Sequence, residues 1–347
     1  MYSKRKELEK FRSLKGLLID VRSPSEYYKG HMPNSINIPL FDNDERSIIG
    51  TIYKKQGRVR AVMEGLKFLE KKLELLLDNI FMHIDSYKII SEKNKNELSI
   101  RIYCSRGGMR SQSIAWLLEK YKFNPITLEG GYKTYRRWIL DIFSKKWNIV
   151  IIGGKTGTGK TKLLSLLEQH KFQTIDLEGF ACHRGSTFGG LGMREQPSNE
   201  QFENQIAEKL NSFIKINNVF VEAESSNIGK CRIPHEFFNQ MKVSRRIEIL
   251  RSESNRLDEL INTYSVFNKK ELQESVLRIK KRLGPQRTKI ALESIKNEKW
   301  DLVCRSVLEY YDRCYEYEKV GKENITLLDL TDKNYDEKII AYINDVL

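Results

Sequence analysis

The sequence predicts an α/β protein: two parallel-sheet domains in succession, the second followed by a basic, mainly helical region. Three observations lead there. Short apolar runs alternate with stretches of helical periodicity, the pattern of a parallel sheet covered on both faces. The alternation restarts near residue 147 around a glycine-rich turn. Each half of the 347-residue chain is also long enough to bury its own core. The expected divisions are 1–145, 146–242 and 243–347.

In the first domain, Leu17 to Val21 (LLIDV) is an apolar run of strand length. A short helical stretch at Ser25 to Lys29 and a second strand at Ser35 to Ile38 follow. Residues 58–80 space Val59, Val62, Met63, Leu66, Leu69, Leu73 and Leu76 by threes and fours, which predicts one amphipathic helix. LSIRIYC, beginning at Leu98, is the next strand, SQSIAWLLEKYKF a helix, and Pro125 to Leu128 a further strand. In the second domain WNIVIIGG is a buried strand, GKTGTGKT a turn and KLLSLLEQH a helix; after about residue 243 strand signals fade and Gly284 with Pro285 breaks a charged, helical stretch.

Composition sets limits on function. No run of eighteen apolar residues occurs, and the N-terminal stretch lacks the apolar core of a signal peptide, so a soluble cytoplasmic protein is expected, without a membrane partner. Lysine and arginine exceed aspartate and glutamate to give a net charge of +14, which favours a polyanionic partner. Lys242 to Lys289 holds 13 basic and 6 acidic residues. Arg278, Lys280, Lys281 and Arg282 in that stretch are candidate RNA contacts, although a solvated helix face has the same composition. The five cysteines form neither a CxxC pair nor a zinc spacing.

Two loops carry chemistry. Residues 154–161, GKTGTGKT, fit the phosphate-loop pattern GxxxxGK(S/T) between a strand and a helix. Gly154, Lys155, Thr156, Gly157, Thr158 and Gly159 can turn backbone N–H groups toward one anion, Lys160 adds a charge, and Thr161 can ligate Mg²⁺. The acids that would complete a metal site stay open among Asp176, Glu178, Glu222 and Glu224, and no metal is assigned. His183 and Arg184, beside Cys182, are second-tier candidates. The other loop, YCSRGGMRSQS, sets Cys104 at a strand end before a helix. Arg106, Gly107, Gly108 and Arg110 would form an anion nest there, with a depressed thiol pKa as the expectation. Cys231 is a weaker case, and Cys304 and Cys314 fall at helical positions that suit packing.

DVRSPSEYYKGHMPNSINIP together with YCSRGGMRS resembles a rhodanese domain, whose cysteine carries a persulfide. Five residues separate Cys104 from Arg110, where rhodaneses usually place four; the CxxxxxR spacing also occurs in phosphatases of the same fold. Rhodanese-like residues followed by GGKTGTGKT and by DLEGFACHRGSTFGG resemble, in that order, the bacterial tRNA 2-selenouridine synthase family. That resemblance implies a transferase that replaces the sulfur of wobble 2-thiouridine in tRNA with selenium from selenophosphate, through an S-geranyl intermediate made from geranyl diphosphate. It implies selenophosphate at the Cys104 loop, with Cys104 as nucleophile or selenium carrier, and diphosphate at residues 154–161. Asp20 and Arg22 would orient the cysteine loop, or form a purely structural salt bridge. No tightly bound cofactor is expected, with Mg²⁺ as a candidate ion. The competing readings are a rhodanese-type sulfurtransferase or CxxxxxR phosphatase with an accessory P-loop domain, and a P-loop kinase or GTPase-like regulator.

Overall fold

The computed structural model describes residues 4–91, 99–186, 188–318 and 325–331; Leu98 and the side chain of Cys314 lie outside the described set. The chain divides into two compact units between Asp141 and Ile142, each with a parallel five-stranded sheet.

The first unit runs β1 (Lys4–Lys6), α1 (Leu8–Ser13), β2 (Gly16–Asp20), α2 (Pro24–Lys29), β3 (Ile36–Asn37), α3 (Asn43–Glu70), α4 (Leu73–Ser91), β4 (Ser99–Tyr103), α5 (Met109–Lys120), β5 (Pro125–Leu128) and α6 (Gly131–Phe143). Its strand order is β1-β5-β4-β2-β3. β2 lies beside β4 with Asp20 in register with Tyr103, so the residues after both strands emerge at the same sheet edge. Ile19, Ile38, Ile80, Ile84, Ile100, Ile102, Ile114 and Leu118 fill the core.

The helix expected over 58–80 is two helices. α3 already carries a non-helical residue, Gly57 (φ 84°), and ends at Glu70 before α4 starts at Leu73. The apolar stripe is not α3's core face either: Val59, Met63 and Leu66 are 73%, 52% and 59% exposed, whereas Ala61 and Gly65 are buried. Small residues win that face because Gly65 packs against the Phe41 ring, where even one more carbon would be tight.

The second unit contains β6 (Asn148–Gly154), α7 (Lys160–Gln169), β7 (Gln173–Ile175), α8 (Leu177–Ala181), α9 (Asn199–Asn211), β8 (Asn218–Glu222), β9 (Asn227–Ile228), β10 (Cys231–Arg232), α10 (His235–Val243) and β11 (Arg245–Leu250). Then come α11 (Glu253–Tyr264), α12 (Lys269–Arg278), α13 (Lys280–Leu283), α14 (Pro285–Lys296), α15 (Trp300–Glu318) and β12 (Ile325–Asp329). The sheet order is β12-β11-β6-β8-β7. The expectation that strands fade after residue 243 is corrected here, because β11 pairs with β6 and β12 with β11. The charges of Arg246 and Glu248, rather than any lack of alternation with Ile247 and Ile249, hide β11 in a basic stretch; the two are buried as an ion pair, 2.6 Å apart. α12 to α15 build their own cluster around Leu272, Val276, Ile279, Leu283, Ile295 and Val303. No helix among the described residues is long and apolar enough to cross a membrane.

Candidate functional sites

The cysteine loop follows β4. Cys104 is buried, and its Sγ lies 3.2 Å from the hydroxyl of Ser111 in the first turn of α5, where the partial positive charge of a helix N-terminus falls. Ser111 was not singled out in the sequence. Two glycines after β5 hold the loop: at Gly131 (φ 61°) a Cβ would run into the Cys104 carbonyl, and the next N–H, of Tyr132, donates to that same oxygen at 2.9 Å. Gly107 is likewise left-handed, at φ 61°, while Gly108 caps α5.

The two loop arginines differ from the expected nest. Arg106 is exposed. Arg110 gives its guanidinium to Glu26 (Nη1 to Oε2 2.6 Å, Nη2 to Oε1 3.3 Å) and to Ser105 Oγ at 2.8 Å. Glu26 also accepts from Ser105 Oγ at 2.8 Å and from the Ser23 N–H at 3.1 Å. Burial pushes the Glu26 carboxyl up, but its bonds and charge contact with Arg110 prevail and bring it down to about 2. The loop is thus framed by one ionised carboxylate from α2, a residue the sequence reading left out.

Asp20 and Arg22 are both buried and form an ion pair, with Nη2 2.6 Å from Oδ2 and Nε 2.9 Å from the same oxygen. Arg22 also donates to the Gly30 carbonyl at 2.6 Å and lies 3.8 Å above the Tyr132 ring. Burial works against its charge, yet the Asp20 hydrogen bond and charge raise its pKa overall. The pair therefore supports the loop at one remove, through Tyr132. His31 stacks on Tyr27 at 3.8 Å and stays in its turn.

The phosphate loop follows β6. Gly157 and Gly159 have φ of 80° and 85°, and Lys160 Nζ donates to the Gly154 carbonyl at 3.1 Å. Gly154, Thr156, Gly157, Gly159, Lys160 and Thr161 line a cavity of about 640 Å³. Lys155 and Thr158 do not: Lys155 pairs with Asp312 at 3.5 Å, and buried Thr158 donates to the Lys155 carbonyl at 2.8 Å. Arg256, which no motif marked, braces the loop from α11 by donating to the Thr156 carbonyl at 2.8 Å while paired with Asp312.

Opposite Lys160 stand carboxylates. Ligand oxygens of Glu178, Glu222 and Glu224 lie within 4.8 Å of one another. Glu222 is fully buried; one oxygen accepts from the Glu178 N–H at 2.8 Å, and Oε2 has no hydrogen-bond partner. Burial raises the Glu222 carboxyl well above the usual range, and the charges of Glu178, Glu224 and Asp176 raise it further. Burial raises Glu178 too, against the pull of Lys160. Clustered oxygen donors, one of them unsatisfied, fit a hard divalent cation, which would relieve both the repulsion and the stranded oxygen. The remaining lining sets Met193, Leu260, Tyr264, Tyr310 and Tyr311 among polar and charged groups that include Arg184, Glu259, Thr263 and Arg282.

Of the second-tier residues, Glu224 and Arg184 line the cavity, Glu222 lies in the acidic cluster, and His183 is outside the lining with its pKa lowered by burial. Arg278, Lys280, Lys281 and Arg282 are all exposed, and Arg282 also lines the cavity. Asp176 caps α8 by accepting from the Gly179 N–H at 2.7 Å.

A parallel sheet bearing a cysteine loop, followed in the chain by a P-loop sheet with a carboxylate-lined cavity, defines an α/β protein of two units. Residues 4–137 match the rhodanese-like domain and residues 147–345 the tRNA 2-selenouridine synthase AAA domain. The tRNA 2-selenouridine synthase of Sulfurovum sp. is 31% identical over 344 residues, covering 87% of this chain and 88% of the relative. That of Psychromonas ingrahamii is 31% identical over 339 residues, with 88% of each chain covered. The Nitrosomonas eutropha protein of the same description is 35% identical over 261 residues, 72% of this chain, and the match spans 63% of that relative's length. The chain belongs to the tRNA 2-selenouridine synthase family.

Proposed function

We propose that the protein is a tRNA-modifying transferase that converts wobble 2-thiouridine to 2-selenouridine. In this reading selenophosphate is handled at the Cys104 loop and geranyl diphosphate in the P-loop cavity. The observation that carries it is the make-up of that one cavity: a phosphate loop, a carboxylate cluster and, among other polar lining residues, the apolar and aromatic side chains of Met193, Leu260, Tyr264, Tyr310 and Tyr311. A nucleoside triphosphate needs the first two. A prenyl diphosphate also needs an apolar wall for its chain.

Thr161, Glu178, Glu222 and Glu224 would hold a Mg²⁺ ion, which when bound supplies charge neutralisation to a diphosphate leaving group. Lys160 and the loop N–H groups fix that diphosphate while the thiouridine sulfur attacks the geranyl carbon and the carbon–oxygen bond breaks. Alkylation makes the sulfur a better leaving group, so a selenium nucleophile can displace it as the geranyl thiol. Cys104, against the first turn of α5, is the nucleophile or selenium carrier at the other site.

The test is nucleoside mass spectrometry of tRNA from cells lacking the protein and complemented with variants. Deletion should remove 2-selenouridine and leave 2-thiouridine; persistence of 2-selenouridine would overturn the reading. Cys104→Ser should fail to restore the product. Lys160→Ala should abolish the S-geranyl species, and its normal accumulation would remove diphosphate binding from the P-loop.

A further inference from the structure

We propose that the exposed cations of α3, Lys54, Lys55, Arg58 and Arg60, form a surface that grips the phosphodiester backbone of the RNA substrate beside the Cys104 loop. The inference rests on the tRNA reading above and adds where the first unit would hold that RNA. From Arg46 to Met63 the sequence has five cations and no acid. Every residue from Tyr53 to Arg60 is exposed. None of the four cations has a carboxylate partner among the described residues. The basic stretch 242–289 is different, because Arg246, Arg251, Arg256, Lys269, Arg287 and Lys289 are all ion-paired within the chain. Six of its 13 cations are thus met within the chain, while those four of α3 face solvent.

The backbone of α3 is shaped around this patch. Gly57 leaves the helix at φ 84°, and a Cβ built there meets nothing within 4 Å. Packing therefore does not demand the glycine; the left-handed turn does, and it re-aims the chain between Lys55 and Arg58. Close-set like charges repel one another; the phosphates of a polyanion offset that repulsion, and release of the polyanion's condensed counterions drives the binding.

Location ties the patch to the chemistry. Arg58 Nη2 lies 3.6 Å from Sδ of Met109, the first residue of α5 and the neighbour of Gly108. Arg46 Nε lies 3.7 Å from Oε2 of Glu26, the carboxylate that holds Arg110 and Ser105. α3 thus flanks the cysteine loop at both places, and RNA lying along it passes the mouth where Cys104 acts.

The experiment is fluorescence anisotropy of the full chain with a tRNA transcript across a sodium chloride series. It compares wild type with the quadruple variant Lys54→Gln/Lys55→Gln/Arg58→Gln/Arg60→Gln. Affinity should fall at least tenfold, and the slope of log affinity against log salt should shrink by about 3, at roughly 0.7 to 0.9 per phosphate contact. Circular dichroism should be unchanged, since the side chains are exposed. Should the quadruple variant fail to fold, Lys55→Gln and Arg60→Gln singly should each reduce the slope by about 0.7 to 0.9. Wild-type binding with unaltered affinity and slope in the variants would overturn the surface and leave the functional reading standing. A wild-type chain that binds no tRNA would overturn that reading as well.

Discussion

Glu26 settles how the cysteine loop stands. It is ionised between Arg110, Ser105 and the Ser23 N–H, and through that last bond it completes the N-terminal capping box of its own helix, α2. In the unfolded chain its carboxyl takes a proton near pH 4.5, in the folded one only near 2. The folded form therefore gains stability from this group above about pH 4.5 and loses it progressively as pH falls toward about 2. Urea unfolding followed over that range should show this loss in the wild type and a shallower dependence in Glu26→Gln, which should also be less stable at neutral pH. An identical pH dependence in the two proteins would mean that Arg110 does not hold Glu26 ionised. The sequence made Cys104 and the Asp20–Arg22 pair visible because each follows a strand within a few residues. Glu26 and Arg110 are 84 positions apart, so nothing local announced that the arginine's charge is met inside the protein.

Among the elements, strand–turn–helix units were the legible ones. GKTGTGKT is local in sequence and in space, and β6, its loop and α7 lie where the motif put them. α3 is less legible, since a three-and-four spacing of apolar residues reports a helix without saying which side is buried. Its core side is made by Ala61 and Gly65, too small to register as hydrophobic signal. The break at Gly57 yields a prediction for the element. Gly57→Ala meets open space, so its cost is that of the φ 84°, ψ −179° backbone alone, a region open essentially to glycine, about 1 to 3 kcal/mol. Urea unfolding should show a loss of that size. No loss would mean that α3 runs straight through this point in solution, and the re-aimed turn beneath the basic patch would go with it.

For the whole molecule, the question is what the last hundred residues belong to. Read from composition, they formed a separate basic region, because a charged pair in β11 and a long helical stretch hide the strands. In space β11 lies next to the P-loop strand β6, and β12 closes the edge through a five-residue register from Arg246–Ile325 to Leu250–Asp329. Leu328 and Leu330 then share one core with Val150, Ile152, Leu163 and Leu167, the residues that seat the phosphate loop and its helix. A cavity at Leu328 should therefore be felt at the P-loop. Leu328→Ala should cost about 2 to 5 kcal/mol, and hydrogen exchange read by mass spectrometry should show the loss in β6 and α7, with β2 and β4 of the first unit unaltered. Protection lost only in α11 to α15 would restore the separate C-terminal region. Loss in β6 makes the chain's last described strand a structural part of the P-loop site, although more than 160 residues separate Leu328 from Lys160.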